Sequence, residues 1–231
     1  MRFDIAFNGA SGWENGILPV QRPSIQPSSR DMEFLEIPGR SGILTIDNQR
    51  YEPMVITVEF NFRSKESEWN ETFRNAKTWL SGGGRLELTD DADYFYKVYS
   101  VKLKSVERKT KRIARFTAEF TCDPFSYLKE GEREYSKEEV EFNPYYTSHP
   151  DYLITGEGVC VLTVNGKSMR ANVGQNLTIN TDLMIAYRMD GTMQNTAVTG
   201  DYQDMYLKEG DNQISVSSGF VLKVIPNWRS L

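Results

Sequence analysis

The side chains that could do chemistry are few in this chain of 231 residues, and their spacing limits what they can do. It has one histidine, His149, and two cysteines, Cys122 and Cys160. A metal centre normally draws on several imidazoles or thiolates, and a hydrolytic triad needs a recognisable nucleophile beside its base. His149, alone in Thr147-Ser148-His149-Pro150, therefore reads as a loop residue. Cys122 ends an alternating run and Cys160 lies in an apolar one, so both read as small core hydrophobes. Two cysteines make no disulfide framework, which fits a reducing compartment. Asn165-Gly166-Lys167-Ser168 carries the end of a phosphate-binding loop, but Val161 stands where the first glycine belongs. Asn-Gly between alternating apolar runs is a hairpin signal instead. Gly156-Glu157-Gly158 reads as a turn, since no strand-to-helix unit surrounds it. Asp90, Asp91 and Asp93 offer hard oxygens, yet the glycine and distal glutamate of a calcium loop are missing, which leaves a solvated turn. These residues lead us to expect no enzyme, no cofactor and no metal site.

Two other segments are suited to contact with partners. Lys102, Lys104, Arg108, Lys109, Lys111, Arg112 and Arg115 form a basic hairpin tip diluted only by Glu107. Such a tip could face DNA or an acidic neighbouring subunit, or it could be a solvated turn that charge protects from edge-to-edge pairing. The second candidate is the Gly- and Pro-rich stretch 8–30 with the turn at Pro38-Gly39-Arg40-Ser41-Gly42. Proline fixes φ at the second turn position and glycine accepts φ > 0 at the third, a type II turn. Long loops on a rigid sheet carry recognition more often than catalysis. The candidate interaction residues are thus Pro38, Gly39, Arg40, Gly42, Arg108, Lys109, Lys111 and Arg112.

The elements that must position them are mostly strands. Phe3, Ile5 and Phe7 alternate with polar neighbours, and the breakers in 8–30 leave room for at most one short strand near Ile17 to Val20. Met32 to Ile37 and Ile43 to Ile46 follow, then Met54 to Phe62, the clearest alternation in the chain. Trp69, Phe73, Ala76 and Leu80 make a helical apolar stripe, with Ser64 or Ser67 available as a cap and Gly82-Gly83-Gly84 as a stop. Arg85 to Thr89, Tyr94 to Val106 and Ile113 to Cys122 complete the first half, the last two as an antiparallel hairpin. Short strands are expected at 152–154, 159–164, 168–173, 176–179, 183–188, 203–207, 212–217 and 220–225. That spacing of short strands suggests a β-sandwich.

Composition bounds the rest. Aromatics reach 12% and net charge is −5, so whole-molecule attraction to nucleic acid or anionic membrane is disfavoured. No apolar run approaches the roughly 18 to 20 residues that span a bilayer, and Asp4 interrupts any signal sequence; a soluble protein made in the cytosol is expected. Residues 1–135 carry 20 Lys and Arg against 21 Asp and Glu, while 136–231 carry 7 against 11. The polar stretch 131–141 between the halves reads as a linker, giving domains at 1–130 and 142–231.

Taken in order, several segments resemble the distal tail protein family of phages with long, flexible, non-contractile tails (siphophages). They include Ile37-Pro38-Gly39-Arg40-Ser41-Gly42, the helix ending at Trp79-Leu80 before glycines, and Asp93-Tyr94-Phe95-Tyr96. Phe116 to Phe120 leading into Cys122-Asp123-Pro124-Phe125, Leu162 to Gly166, Gly210-Asp211-Asn212 and the closing Pro226-Asn227-Trp228-Arg229 complete the set. Ile179-Asn180-Thr181 departs from the family's frequent Ile-Asp-Ser. The resemblance implies a mainly β chain with an N-terminal β domain bearing one α-helix, split-barrel-like and of tail-tube type, and a C-terminal galectin-like β-sandwich. It further implies a homo-hexameric ring at the distal end of a virion tail, encoded by a phage or prophage. The ring would join the tail tube protein to the tail-associated tip protein and serve receptor-binding proteins. The tape-measure protein and DNA would pass through its lumen, and no membrane would be involved. The alternative is a carbohydrate-binding module for host adsorption, using Tyr145, Tyr146, Tyr187, Tyr202 and Tyr206 as a platform.

Overall fold

The computed structural model describes residues 3–231. It is mainly β with one α-helix among those residues, and no helix there is long and apolar enough to cross a membrane. The backbone divides into two compact units, one reaching to Ser126 and including Leu231, the other Tyr127–Ser230.

The first unit contains β1 (Ile5–Phe7), β2 (Ala10–Ser11), β3 (Ile17–Pro19), β4 (Ser24–Gln26), β5 (Arg30–Glu36), β6 (Ile43–Tyr51) and β7 (Met54–Arg63). The helix α1 (Trp69–Trp79), β8 (Gly84–Leu88), β9 (Tyr94–Leu103), β10 (Glu107–Arg108) and β11 (Ile113–Leu128) follow. Its main sheet runs in the order β2-β1-β8-β9-β11-β7-β3, with β4 also on β7 and β10 on β11. The sheet curls until its flanks meet at Gly12, whose N–H donates to the Ile5 carbonyl and whose carbonyl accepts from Ile17 N–H, both at 2.8 Å. A Cβ on Gly12 would lie 2.5 Å from the Ile17 carbonyl oxygen, so only glycine fits.

Inside the curl, β7 and β11 interlock through their inward residues. Phe60 stands opposite Phe116, Phe120 opposite Ile56, and the small Ala114 and Ala118 oppose Phe62 and Val58. All are buried. The Phe60 and Phe116 rings stack at 5.4 Å. The helix lays Trp69, Ala76 and the following Leu80 on this core, and Trp79 donates its indole N–H to the Phe7 carbonyl at 3.2 Å. Neither Ser64 nor Ser67 caps the helix. It starts from a 3-10 turn over Glu66–Glu68 with no side-chain cap bond. Burial of the Trp69 face anchors it instead. Leu80 N–H still bonds the Ala76 carbonyl, and Gly82 then takes φ 78° to stop it.

The breaker-rich segment holds three short strands where at most one was expected. The expected strand is β3, where Leu18 pairs with Asn61; at β4 Ile25 pairs with Ile56, so β7 imposes there extended structure that local sequence does not encode.

The second unit contains β12 (Tyr135–Ser136), β13 (Phe142–Asn143), β14 (Asp151–Val164), β15 (Lys167–Asn180), β16 (Ile185–Tyr187), β17 (Val198–Thr199), β18 (Gly210–Asp211), β19 (Ile214–Val216), β20 (Val221–Ile225) and β21 (Arg229–Ser230). Its sheet runs β12-β20-β14-β15-β16. Four expected strands are two continuous ones, β14 and β15, joined at Asn165-Gly166 with φ 50° and 78°, the primed turn that the dipeptide favours. Asn165 is fixed there, its side chain donating to Asn212 and accepting from Gln213 N–H. Gly156-Glu157-Gly158 is therefore mid-strand and not a turn: Gly156 pairs with Gln175, and the Phe220 ring occupies the space a Cβ would need. The strand expected at 203–207 is a 3-10 turn, Tyr202–Met205, opened by Asp201 accepting from Gln203 N–H.

The polar 131–141 stretch contributes to this unit. Tyr135 pairs with Val224, Ser136 and Glu139 form a capping box, and Val140 is buried in the second core. Tyr152, fully buried, donates its hydroxyl to the Met205 carbonyl at 2.7 Å. Tyr152→Phe removes that donor and strands a buried carbonyl, which should cost about 1 to 3 kcal/mol in a denaturant titration with the fold retained.

Candidate assembly interface

Among the described residues, β5 and β6 leave the main sheet and pair only with each other. Cross-strand partners share a face, so Met32/Asp47, Phe34/Thr45 and Glu36/Ile43 lie on one side and Glu33/Ile46 and Leu35/Leu44 on the other. Both sides carry apolar residues that are open to solvent: Phe34 is 63% exposed, Ile43 57% and Leu35 46%. A two-stranded ribbon of this kind is at best marginally stable in water.

What holds it is its polar base. Arg30 pairs with Asp47 at 3.0 Å and lies over the Tyr51 ring at 5.1 Å, while Arg50 pairs with Asp31 at 2.5 Å. Tyr51 then packs edge-on against Phe125 at 5.8 Å. The Arg30 bond, helped by Gln49 N–H, lowers the Asp47 pKa; Arg50 and then Asn48 do the same for Asp31. At the far end Arg40 N–H donates to the Ile37 carbonyl at 3.1 Å and Gly39 has φ 81°, the type II turn read from Pro38-Gly39. Gly42, at φ 91°, completes the loop. Pro38, Gly39, Arg40 and Gly42 are thus together at the tip of the arm.

The basic residues form a separate tip on the same unit. Arg108 lies over the Trp69 indole at 5.0 Å and donates to the Lys111 carbonyl at 3.1 Å. Lys109 pairs with Glu107, Lys111 with Glu66, and Arg112 N–H bonds the Thr110 hydroxyl.

The remaining candidates are absorbed into the fold. His149 Nδ1 meets Asp182 at 2.8 Å, Nε2 meets the Arg229 guanidinium at 2.9 Å, and the ring stacks on Tyr206 at 3.9 Å. Arg229 can only donate, so Nε2 is the acceptor and Nδ1 carries the proton. No lone pair is left over for general-base work. Burial pushes the Cys122 thiol up to about 12 and raises that of Cys160, holding both protonated. Asp90 is tied to Arg22 at 2.7 Å. Tyr145 packs on Trp228, Tyr146 lies under Arg229 and Tyr206 on His149, so three of the five tyrosines already have intrachain ring partners.

No protein-family profile and no curated protein matches this sequence. Among solved structures, the crystal structure of SPP1 Dit (gp 19.1), described as a paradigm of the hub adsorption apparatus in phages infecting Gram-positive bacteria, superposes with a TM-score of 0.71. The match covers 100% of this chain and 99% of that one at 11% identity. The chain shares the SPP1 Dit fold. The likeness to SPP1 Dit extends over both compact units, so the resemblance read from scattered segments holds at the level of architecture.

The arm's apolar positions escaped the sequence reading because alternation gives a strand without saying whether anything covers it. The readable signal was the adjacent apolar pairs Phe34-Leu35 and Ile43-Leu44, which must face opposite ways.

Two outcomes follow from the arm's construction. Because Asp31 and Asp47 titrate below the usual 3.8, their contribution is complete above that value and is lost as pH falls through the lowered one. Hydrogen exchange across 30–51 should therefore be unchanged from neutral pH down to about 4, after correction for the intrinsic rate, and accelerate only below it. A Cβ at Gly39 would meet no atom within 4 Å, but Gly39→Val must hold φ 81°. It should destabilise the turn by about 1 to 2 kcal/mol, seen as faster proteolysis confined to the arm tip.

Proposed function

We propose that this chain is a structural, non-enzymatic component of a phage tail tip, a hub that closes into a homo-hexameric ring. The observation that carries the reading is the full-length likeness to SPP1 Dit, named for a hub adsorption apparatus. The exposed arm supports it independently, since an arm with open apolar residues on both faces needs a covering surface that the monomer does not supply. In this reading the first unit is the tail-tube-like ring former and the second a galectin-like sandwich that projects outward from the ring. The arm, with Pro38, Gly39, Arg40 and Gly42 at its end, packs on the next copy. Contacts between different patches on successive copies close a ring when the rotation closes. The ring would connect the tail tube to the tail-associated tip protein, receptor-binding proteins would dock on it, and the tape-measure protein and DNA would cross its lumen.

Native mass spectrometry of the purified chain should give six times 26.5 kDa, and negative-stain images should show rings. Only monomers at high concentration, with or without tail-tube and tip proteins, would defeat the reading. Phe34→Glu should leave thermal stability within about 0.5 kcal/mol, as for exposed sites generally. Losing a buried phenylalanine's roughly 2 kcal/mol at each contact should weaken assembly about thirtyfold.

A further inference from the structure

We infer that the basic tip of the first unit docks on the glutamate-rich 130–141 surface of the second unit in a neighbouring copy of this chain. This rests on the ring reading and names a contact between adjacent copies. The tip gathers six exposed cations, Arg63, Lys65, Arg108, Lys109, Lys111 and Arg112. Three carboxylates stand among them: Lys65 pairs with Glu68, Lys109 with Glu107 and Lys111 with Glu66. That leaves Arg63, Arg108 and Arg112 with no ion pair among the described residues, a net +3 in a chain of net −5. The tip is also pre-shaped. Trp69 and the Lys111 carbonyl fix the Arg108 guanidinium, and the Thr110 hydroxyl accepts from both Arg112 and Ile113 N–H. Guanidinium groups held in this way lose less freedom on pairing with carboxylates than free ones.

The complementary charge is on the other unit of the same chain. Residues 1–126 carry 18 Lys and Arg against 18 Asp and Glu, so the tip is the positive pole of a neutral body. Residues 127–230 carry 9 against 14. Part of that excess is in the stretch 129–141, where Glu130, Glu132, Glu134, Glu138, Glu139 and Glu141 outnumber Lys129, Arg133, Lys137 and the Lys223 that pairs with Glu134, a net −2. Two 3-10 turns and β12 hold that stretch against the second core, so it is a fixed surface and not a tail. A duplex would meet the tip's attraction but also the repulsion of everything else on the chain. A second copy instead presents an acidic surface to the tip. The two patches differ, as a heterologous contact requires, and complementary charge sets the register of such a contact.

The test is a charge swap in the full-length chain, followed by sedimentation velocity at about 50 and about 500 mM salt, where screening lengths differ severalfold. Arg63→Glu/Arg112→Glu makes tip and surface both acidic; Glu132→Lys/Glu138→Lys makes both basic. Each variant alone should associate at least about tenfold more weakly than the unmodified chain at low salt. An equimolar mixture should recover assembly, because the two kinds can alternate around a ring with an even number of places. Circular dichroism identifies a variant that has not folded, and the salt dependence of the unmodified chain then decides: assembly weaker at high salt supports the contact, and salt-independent assembly overturns it. Folded variants that assemble normally, or a mixture that stays apart while the unmodified chain assembles, overturn it and leave the ring reading standing. An unmodified chain that never assembles defeats both. Duplex DNA that binds the tip more tightly than copies bind each other would reassign the surface to nucleic acid.

Discussion

Two backbone hydrogen bonds at Gly12 bring the flanks of the first sheet together, and the rest of that unit is arranged around this closure. Once the sheet is curled, its inner face is a confined space that side chains must fill. The Phe60, Phe62, Phe116 and Phe120 rings fill it, Phe60 facing Phe116 while the small Ala114 faces Phe62. One side still needs covering, and α1 does this with Trp69, Phe73, Ala76 and Leu80. The helix therefore needs no conventional cap: its position is set by the space it fills. Glycine at position 12 is required because the approach of β1 to β3 leaves no room for a Cβ.

The closed sheet has no place for β5 and β6. The chain passes from β4 on one side of β7 out into a separate ribbon and returns directly into β7. An excursion of this length in a compact unit would ordinarily be polar, but beyond its base this one sets exposed apolar residues among Glu33, Glu36 and Thr45. At the base Arg30, Asp31, Asp47 and Arg50 act as clamps, and beyond them apolar residues stand on both faces. The clamps supply order that the ribbon's own hydrogen bonds could not maintain. The resulting arm is firm enough to present Phe34 and Leu35 in fixed positions and apolar enough to require a surface to meet.

Much of this was legible beforehand where one local rule governs. Period-two alternation located β7 and β11, the i, i+3, i+4 stripe located α1, and Pro38-Gly39 and Asn165-Gly166 gave their turns, because each of these signals follows from backbone geometry alone. The reading failed where a distant partner decides. The strand β4 exists because β7 offers an edge, and Gly156 and Gly158 are strand residues because Phe220 needs the space over one of them. Polar 131–141 looked like a connector because its buried anchors, Gly131 and Val140, are two residues among charges. The candidate interface was half legible: the arm's tip could be named from its turn residues, whereas its exposed apolar sides could not, since alternation is the same whether a face is covered or bare.

The Asn165-Gly166 turn bears on chemical ageing. Asparagine followed by glycine is the dipeptide most prone to cyclise to a succinimide and deamidate, because the glycine N–H can swing onto the side-chain carbonyl. Here that carbonyl is engaged by Gln213 N–H and the amide nitrogen by Asn212, with the backbone held at φ 50°. The side chain cannot reach the attacking geometry without breaking both bonds. A hairpin built on the most perishable of turns is thereby protected against slow decay.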